Sequence, residues 1–226
     1  MLFVLICTEG DNSEPECLTA LDTSLKNGQV PQEVVSFVEV LPIPLGGNQG
    51  HTRLVAKANK QVETMEKDID SLLHLAMSED EAECDKWIVC DYDALDDANI
   101  TLKELRQQAA DAGYTLVVNK PKFEYFVLCL LVGADLANRV ESGQYFVEIN
   151  KQIDILNERN KTEKGFTDIM SIPHYSKKKY VTREFFGKLF SYNIELLENL
   201  PDEYSDEDDQ FTEMHKLVRA IRLLYS

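Results

Sequence analysis

Four short apolar runs alternate with segments of helical spacing over the first 120 residues, and this alternation limits the fold more than any other feature of the chain. The runs lie at residues 1–7, 34–40, 87–91 and 114–118. Short apolar strands with helices between them are typical of a parallel sheet covered on both faces. The sequence therefore predicts an α/β fold with a mostly parallel four-stranded sheet flanked by helices.

The second half of the chain shows helical spacing, and we predict no further strand after Pro121. Apolar residues recur there at steps of three and four, as expected for amphipathic helices. The segments with this spacing are 123–131, 143–159, 183–200 and 211–225. We therefore predict two parts, an α/β core over residues 1–132 and a C-terminal helical lobe over residues 133–226 that packs on the core.

Cysteine usage and the N-terminal residues predict a cytoplasmic protein. The five cysteines include no CxxC pair and no pairing framework, which indicates a reducing compartment. The apolar N-terminus has no basic residue before it and no small-residue cleavage site after it, so we interpret it as a buried strand and not as a signal peptide. No apolar run is long enough to cross a bilayer, and we expect no membrane association.

The formal net charge of −17 bears on the choice of partner. Proteins that bind DNA or RNA usually present a basic surface, because phosphate contacts supply much of their affinity. The charge is uneven, however, since acidic clusters at 79–81, 96–97 and 202–209 contrast with a basic run at 177–179. A bound metal ion would also neutralise part of the acidity. Nucleic acid therefore stays a candidate substrate, although the acidity argues against it.

Acidic residues follow two of the predicted strands, where parallel sheets bind their ligands. Glu9 follows the first strand, and Asp91 and Asp93 follow the strand that begins at Trp87. Extended residues two apart point the same way, so both aspartates can face one ion while Tyr92 points elsewhere. A lone pair of this kind is more often a helix cap or loop acid, but the addition of Glu9 favours a metal site. Oxygen ligands at a loop edge predict Mg²⁺ or Mn²⁺.

Further candidates lie outside this triad. Glu124 begins a predicted helix among aromatic residues, where an unpaired charge would be costly, and we favour a functional role for it. Lys177 is our candidate for contact with a phosphate or with charge developing on a leaving oxygen. Glu14 is either a residue that orients a metal ligand or an ordinary acid in a first helical turn. His174 is a weaker candidate for substrate contact, and residues 46–50 suggest a flexible loop over the acidic edge.

Three segments resemble motifs of the RloB family. Residues 7–15, CTEGDNSEP, resemble its opening motif, a hydrophobic strand followed by EGxxTEP. Residues 91–93, DYD, resemble its aspartate pair, and residues 119–126, NKPKFEYF, resemble its NPxFExW segment. The three occur in the family's order over roughly residues 1–132, and Tyr175-Ser-Lys177 resembles a Tyr-x-Lys segment further on.

This resemblance implies a Toprim-like fold in which a Glu and a DxD pair bind Mg²⁺ at the sheet ends. It implies metal ligands at Glu9, Asp91 and Asp93, nuclease-type chemistry, a role in antiphage defence and a partner ATPase. Glu124 falls within a family motif.

Three functions are therefore open. The first is a metal-dependent endonuclease with Lys177 as a fixed cation, acting on RNA or DNA. The second is a non-catalytic regulatory subunit whose acidic surface docks on a partner ATPase, and the net charge favours it. The third is a metal-dependent phosphoesterase acting on small molecules. The sequence also leaves assembly into a homo-oligomer open.

Overall fold

A computed structural model describes residues 2–9, 12–26, 37–42, 54–73, 83–92 and 101–225. The first half contains β1 (Leu2–Thr8), α1 (Ser13–Lys26), β2 (Phe37–Pro42), α2 (Leu54–Leu73), β3 (Glu83–Asp91), α3 (Leu102–Asp111) and β4 (Thr115–Lys120). The second half contains α4 (Phe123–Val132), α5 (Ala134–Ala137), α6 (Tyr145–Lys164), α7 (Lys179–Asn193), β5 (Phe211–Thr212) and α8 (Met214–Leu223).

The strands form one sheet in the order β2-β1-β3-β4-β5. The first four are parallel, so the predicted α/β class with a mostly parallel sheet is confirmed. The prediction that no strand follows Pro121 was wrong, because β5 pairs antiparallel with β4, with Thr212 opposite Asn119. Two residues are too few to show a strand period in the sequence.

Both faces of the sheet are buried, which explains the unbroken apolar runs. In β1, Val4 and Ile6 face a cluster that also includes residues of α1, α4, α7 and α8, whereas Leu5 and Cys7 face a second cluster with α2 and α3. The first cluster joins residues from both sides of position 132, the boundary at which we divide the chain. The division into two parts stays a prediction.

The strand order places a topological switch point at the centre of the sheet. β1 lies between β2 and β3, so the chain leaves β1 on one side and returns to the other. The carboxyl ends of β1 and β3 are neighbours, with Thr8 in register with Val89. Crevices at such points are where open parallel sheets bind ligands, so the residues that follow Thr8 and Val89 become the ones to inspect.

The loop before α7 is held to α6 by two asparagine side chains. Asn157 Oδ1 accepts from Ile172 N and its Nδ2 donates to Ile172 O, both at 2.9 Å. Asn150 Oδ1 accepts from Tyr175 N at 2.7 Å. The helical lobe thereby fixes the position of a loop that continues to Lys177.

A buried carboxylate joins α3, β4 and α8. Glu213 accepts from Arg106 Nη1 at 3.1 and 3.2 Å and from Val118 N at 3.0 Å. It also accepts from the Tyr204 hydroxyl and the Lys216 ammonium. Its side chain is 0% exposed. Within the described residues, this carboxylate thus accepts hydrogen bonds from three side chains and one backbone N–H, as expected of a structural ionic cluster.

Candidate active site

The predicted acids of β1 and β3 meet at the switch point. Glu9 Oε2 accepts from the backbone N–H of Asp91 at 3.0 Å, and Glu9 N donates to Val89 O at 2.9 Å. Both residues therefore lie at one edge of the sheet. Asp93 lies outside the described residues, and among those described no three Asp, Glu, His or Cys side chains form a group able to hold a metal ion.

Tyr92 packs on the other face of the sheet, as the alternation of an extended chain predicts. Its ring contacts the second apolar cluster, and Lys120 Nζ lies 4.7 Å from the ring centroid. Its backbone N–H donates to Asn119 O at 2.8 Å. These contacts fix the backbone immediately after Asp91. The Tyr92 side chain points away from the acidic edge.

The first turn of α1 brings a further carboxylate to the site. Glu14 is buried. Its pKa is raised to about 7. Burial is the largest cause, and the negative charges of Glu9 and Glu124 also raise the pKa, while its own backbone hydrogen bond and the charge of Lys177 lower it. Glu14 therefore lies close enough to both acids and to the lysine to feel their charges. The structure places it with the candidate site, which favours the first of its two interpretations.

Glu124 and Lys177 form an ion pair near the acidic edge. Glu124, at the start of α4, has a side chain only 3% exposed, and Lys177 Nζ lies 3.1 Å from its Oε1. Partial burial lowers the pKa of Lys177, but Glu124, followed by Asp91 and Glu14, raises it more, so the net shift is upward. Lys177 is therefore a permanent cation and not a candidate general base.

Tyr175 ties this ion pair to the start of α1. It is buried, and its hydroxyl donates to Ser13 Oγ at 3.0 Å and lies 3.5 Å from Glu124 Oε1. Burial and the charge of Glu124 raise its pKa far above the usual range, so the hydroxyl keeps its proton. Sequence reasoning missed this role, although the Tyr-x-Lys spacing was the available signal.

Other sequence candidates lie outside the cluster. His174 is exposed and pairs with Asp154 Oδ1 at 2.9 Å on α6. The loop at 46–50 lies outside the described residues, so its predicted place over the edge is untested. Burial raises the pKa of Cys7 to about 12, and burial followed by the charges of Glu9 and Asp91 raises that of Cys90. Neither thiol is a candidate nucleophile.

The described part of the site is mostly acidic. It combines four carboxylates with one ammonium group, and all of the carboxylates interact electrostatically with at least one other member. These residues are Glu9, Glu14, Asp91, Glu124 and Lys177. Clustered carboxylates are stabilised by a cation, and an all-oxygen donor set suits Mg²⁺ or Mn²⁺.

A family model described as RloB-like protein matches residues 4–221. The chain belongs to the RloB-like family. The match includes both the strand-end acids and the loop that carries Tyr175 and Lys177, so the family pattern extends beyond the α/β half into the helical lobe. No curated protein and no solved structure is significantly similar to this RloB-like chain. None of its described helices is long and apolar enough to span a membrane.

Proposed function

We propose that this RloB-like protein is a metal-dependent phosphodiesterase of the nuclease type, with Mg²⁺ or Mn²⁺ held by Glu9, Asp91 and Asp93. The observation that carries the proposal is the hydrogen bond from Asp91 N to Glu9 Oε2, because it joins two acids 82 residues apart at the switch point. The Toprim-like assignment and Asp93 as third ligand rest on the motif resemblance. A divalent ion held by these residues would supply Lewis-acid chemistry, polarising a phosphoryl oxygen and activating water.

Lys177 provides the fixed positive charge of the proposed reaction. Its ammonium stabilises the negative charge that develops on the phosphoryl and leaving oxygens, where preorganised charge has the largest effect on the rate. Glu124 orients the ammonium through the 3.1 Å contact. Tyr175 fixes Glu124 and the start of α1 relative to each other.

The same proposal includes the biological setting that the motifs imply, an effector of antiphage defence acting with a partner ATPase in the cytoplasm. The net charge of −17 favours a second candidate, a non-catalytic subunit that docks on that ATPase through its acidic surface. The two candidates differ in whether the isolated protein hydrolyses any phosphodiester.

The deciding experiment compares wild type with Asp91→Asn and Glu9→Gln on four substrates: transfer RNA, plasmid, single-stranded DNA and bis(p-nitrophenyl) phosphate. Hydrolysis that needs Mg²⁺ or Mn²⁺ and is lost in both variants supports the nuclease. The matched control is Asp168→Asn, since this acid is exposed on the helical lobe and pairs with Lys161.

Calorimetry with Mn²⁺ separates the alternatives. Hydrolysis of the small diester without hydrolysis of any polymer would assign the protein to the small-molecule phosphoesterases. Absence of both hydrolysis and metal binding in wild type would reject the catalytic proposal and leave the docking subunit.

A further inference from the structure

A basic segment continues from the candidate site along the start of α7. Lys177 contacts Glu124 within the site, and the next residues are Lys178, Lys179 and Tyr180, with Arg183 one turn later. We call Lys178, Lys179, Tyr180 and Arg183 the basic strip. It lies directly beside the acidic edge, although the chain as a whole carries a net charge of −17.

The strip keeps positive charge after its ion pairs are considered. Arg183 Nε and Nη2 lie 2.6 and 3.0 Å from the two carboxylate oxygens of Glu16, and Lys179 Nζ lies 3.9 Å from the same group. One carboxylate therefore faces two cations. Lys178 is exposed and, among the described residues, makes no ion pair through its side chain. Helix stability does not explain this run, since cations are disfavoured near a helix N-terminus.

Tyr180 is an aromatic residue left open to solvent between these cations. Its exposed fraction is 72%, whereas Tyr175 in the preceding loop is 3% exposed. An exposed aromatic ring beside lysines is the arrangement that single-stranded nucleic acid uses, because the ring stacks on a base while the cations contact phosphates. The ring adds nothing to the apolar core that would explain its presence.

A cavity of about 370 Å³ lies between α1 and α7. It begins at Arg183 of the basic strip and continues along α7 to Ser191, away from the site. Its charged residues are Glu16 and Arg183, and the small residues Ala20 and Gly187 leave open space, since a Cβ added at Gly187 would meet no atom within 4 Å. Its other lining residues carry hydroxyl groups, which both donate and accept hydrogen bonds: Thr19, Thr23, Ser24 and Ser191. This volume suits a group of about nucleotide size with phosphate and sugar oxygens.

We propose that the basic strip and the α1–α7 cavity bind the sugar–phosphate backbone of a single-stranded polynucleotide, with Tyr180 stacked on a base, and lead that strand to the site. This inference rests on the proposed phosphodiester chemistry and names its substrate class. It also explains how an acidic protein approaches a polyanion, since the favourable contacts are confined to one flank of the metal edge.

The test measures binding of a fluorescent single-stranded oligonucleotide by anisotropy, with Ca²⁺ in place of Mg²⁺ to suppress cleavage. Tyr180→Ala should weaken binding about tenfold, the effect of losing one stacked base. Lys178→Ala should weaken it and reduce the salt slope by about 0.7, the value for one phosphate contact on a single strand. The controls are Leu223→Ala, another exposed apolar residue, and Lys161→Ala on α6.

Substitutions that remove one charge of the Glu16–Arg183 pair give a second test, because the two variants should change oligonucleotide binding in opposite directions. Glu16→Gln frees Arg183 and Lys179 to contact phosphate and should tighten oligonucleotide binding severalfold, whereas Arg183→Gln should weaken it. If the pair only pins α7 to α1, both variants lower the melting temperature and neither tightens binding.

Failure of the inference is distinguishable from failure of the proposed function. The Tyr180 and Lys178 variants should hydrolyse bis(p-nitrophenyl) phosphate at the wild-type rate, because that substrate is too small to reach the strip. Wild-type hydrolysis of this diester combined with unchanged oligonucleotide binding in these variants would overturn the inference alone. Two further results would also overturn the inference. The first is tighter binding of a duplex than of the single strand. The second is displacement of the strand by polyglutamate combined with no effect of Tyr180→Ala on binding.

Discussion

The Glu213 cluster and the candidate site are built from the same side-chain types but differ in charge balance. Each has a nearly unexposed glutamate, a tyrosine hydroxyl and a lysine ammonium. Glu213 is surrounded by donors from Arg106, Tyr204 and Lys216 and from the backbone. Glu124 has Lys177 and the more distant Tyr175 hydroxyl, and it shares that lysine with other carboxylates.

This difference separates a structural role from a functional one. A buried charge with every donor in place holds elements together and has no capacity for a ligand. In the candidate site several carboxylates interact with one lysine and shift pKa values. Clusters that perturb pKa values in this way are concentrated at functional sites. The comparison therefore predicts that substitutions in the first cluster change stability, whereas substitutions in the second change activity.

The largest effect on stability is expected at Glu213. Glu213→Gln removes the charge that balances Arg106 and Lys216, and breaking one partner of such a buried cluster costs about 3–5 kcal/mol of unfolding free energy. Urea denaturation measures this loss. Glu124→Gln is the matched variant, and it should cost much less because it relieves repulsion among the remaining carboxylates. Equal losses at the two positions would contradict the comparison.

Lys177→Met should produce the largest loss of activity without a large loss of stability. Removal of a preorganised charge from a transition state typically reduces the rate by about 10²–10³-fold. Lys161→Met on α6 is the control, since this lysine pairs with Glu158 and Asp168 and lies outside both the site and the basic strip. Recovery of the rate at raised Mg²⁺ would instead mean that Lys177 serves only as a counter-ion, which extra metal can replace.

Glu14 gives a pH-dependent prediction. Its folded-state pKa of about 7 is above its ordinary value of 4.5, so the folded protein binds the extra proton between these values, and stability falls as the pH rises from 4.5 to 7. Glu14→Gln should remove this loss, on the order of 3 kcal/mol, because a neutral side chain carries no charge to bury and does not repel Glu9 and Glu124. Thermal melting in EDTA at pH 5 and pH 8 measures the difference. A Glu14→Gln variant that is no more stable than wild type at pH 8 would contradict the raised pKa of Glu14.

The smallest effect is expected at Tyr175. Tyr175→Phe keeps the ring contacts with Phe185 and Phe186 and removes only the hydroxyl, which costs about 1 kcal/mol of stability. A positioning role predicts a decrease in kcat of severalfold with little change in KM. Tyr125→Phe, which removes a hydroxyl that contacts Asn138, controls for the stability change alone.

Local sequence patterns predicted the features that depend on neighbouring residues. The apolar runs predicted the parallel strands. The positions of Glu9 and Asp91 directly after two of these strands predicted that both residues lie at one edge of the sheet. The pattern located β3 less well, since that strand begins at Glu83, four residues before the apolar run at Trp87. Its polar first residues pair with β1 through backbone hydrogen bonds, which hydropathy does not reveal.

Contacts between distant segments were beyond the reach of the sequence. The Tyr175–Ser13 and Arg183–Glu16 pairs join residues 162 and 167 positions apart, and the Glu213 cluster draws on three separate elements. Side-chain pairing of this kind depends on how the helical lobe packs on the sheet. The same packing explains why Lys177 and Glu124 could each be proposed as functional from the sequence, while the ion pair between them was visible only in the structure.

The distance along the chain between the two halves of the site also sets an order of assembly during synthesis. The acidic edge and Ser13 are translated early, whereas Tyr175 follows Ser13 by 162 residues. At roughly 5–20 residues per second, the ribosome needs on the order of 10–30 s for that interval. The acidic edge is therefore without Lys177, the fixed cation of the proposed reaction, throughout this period.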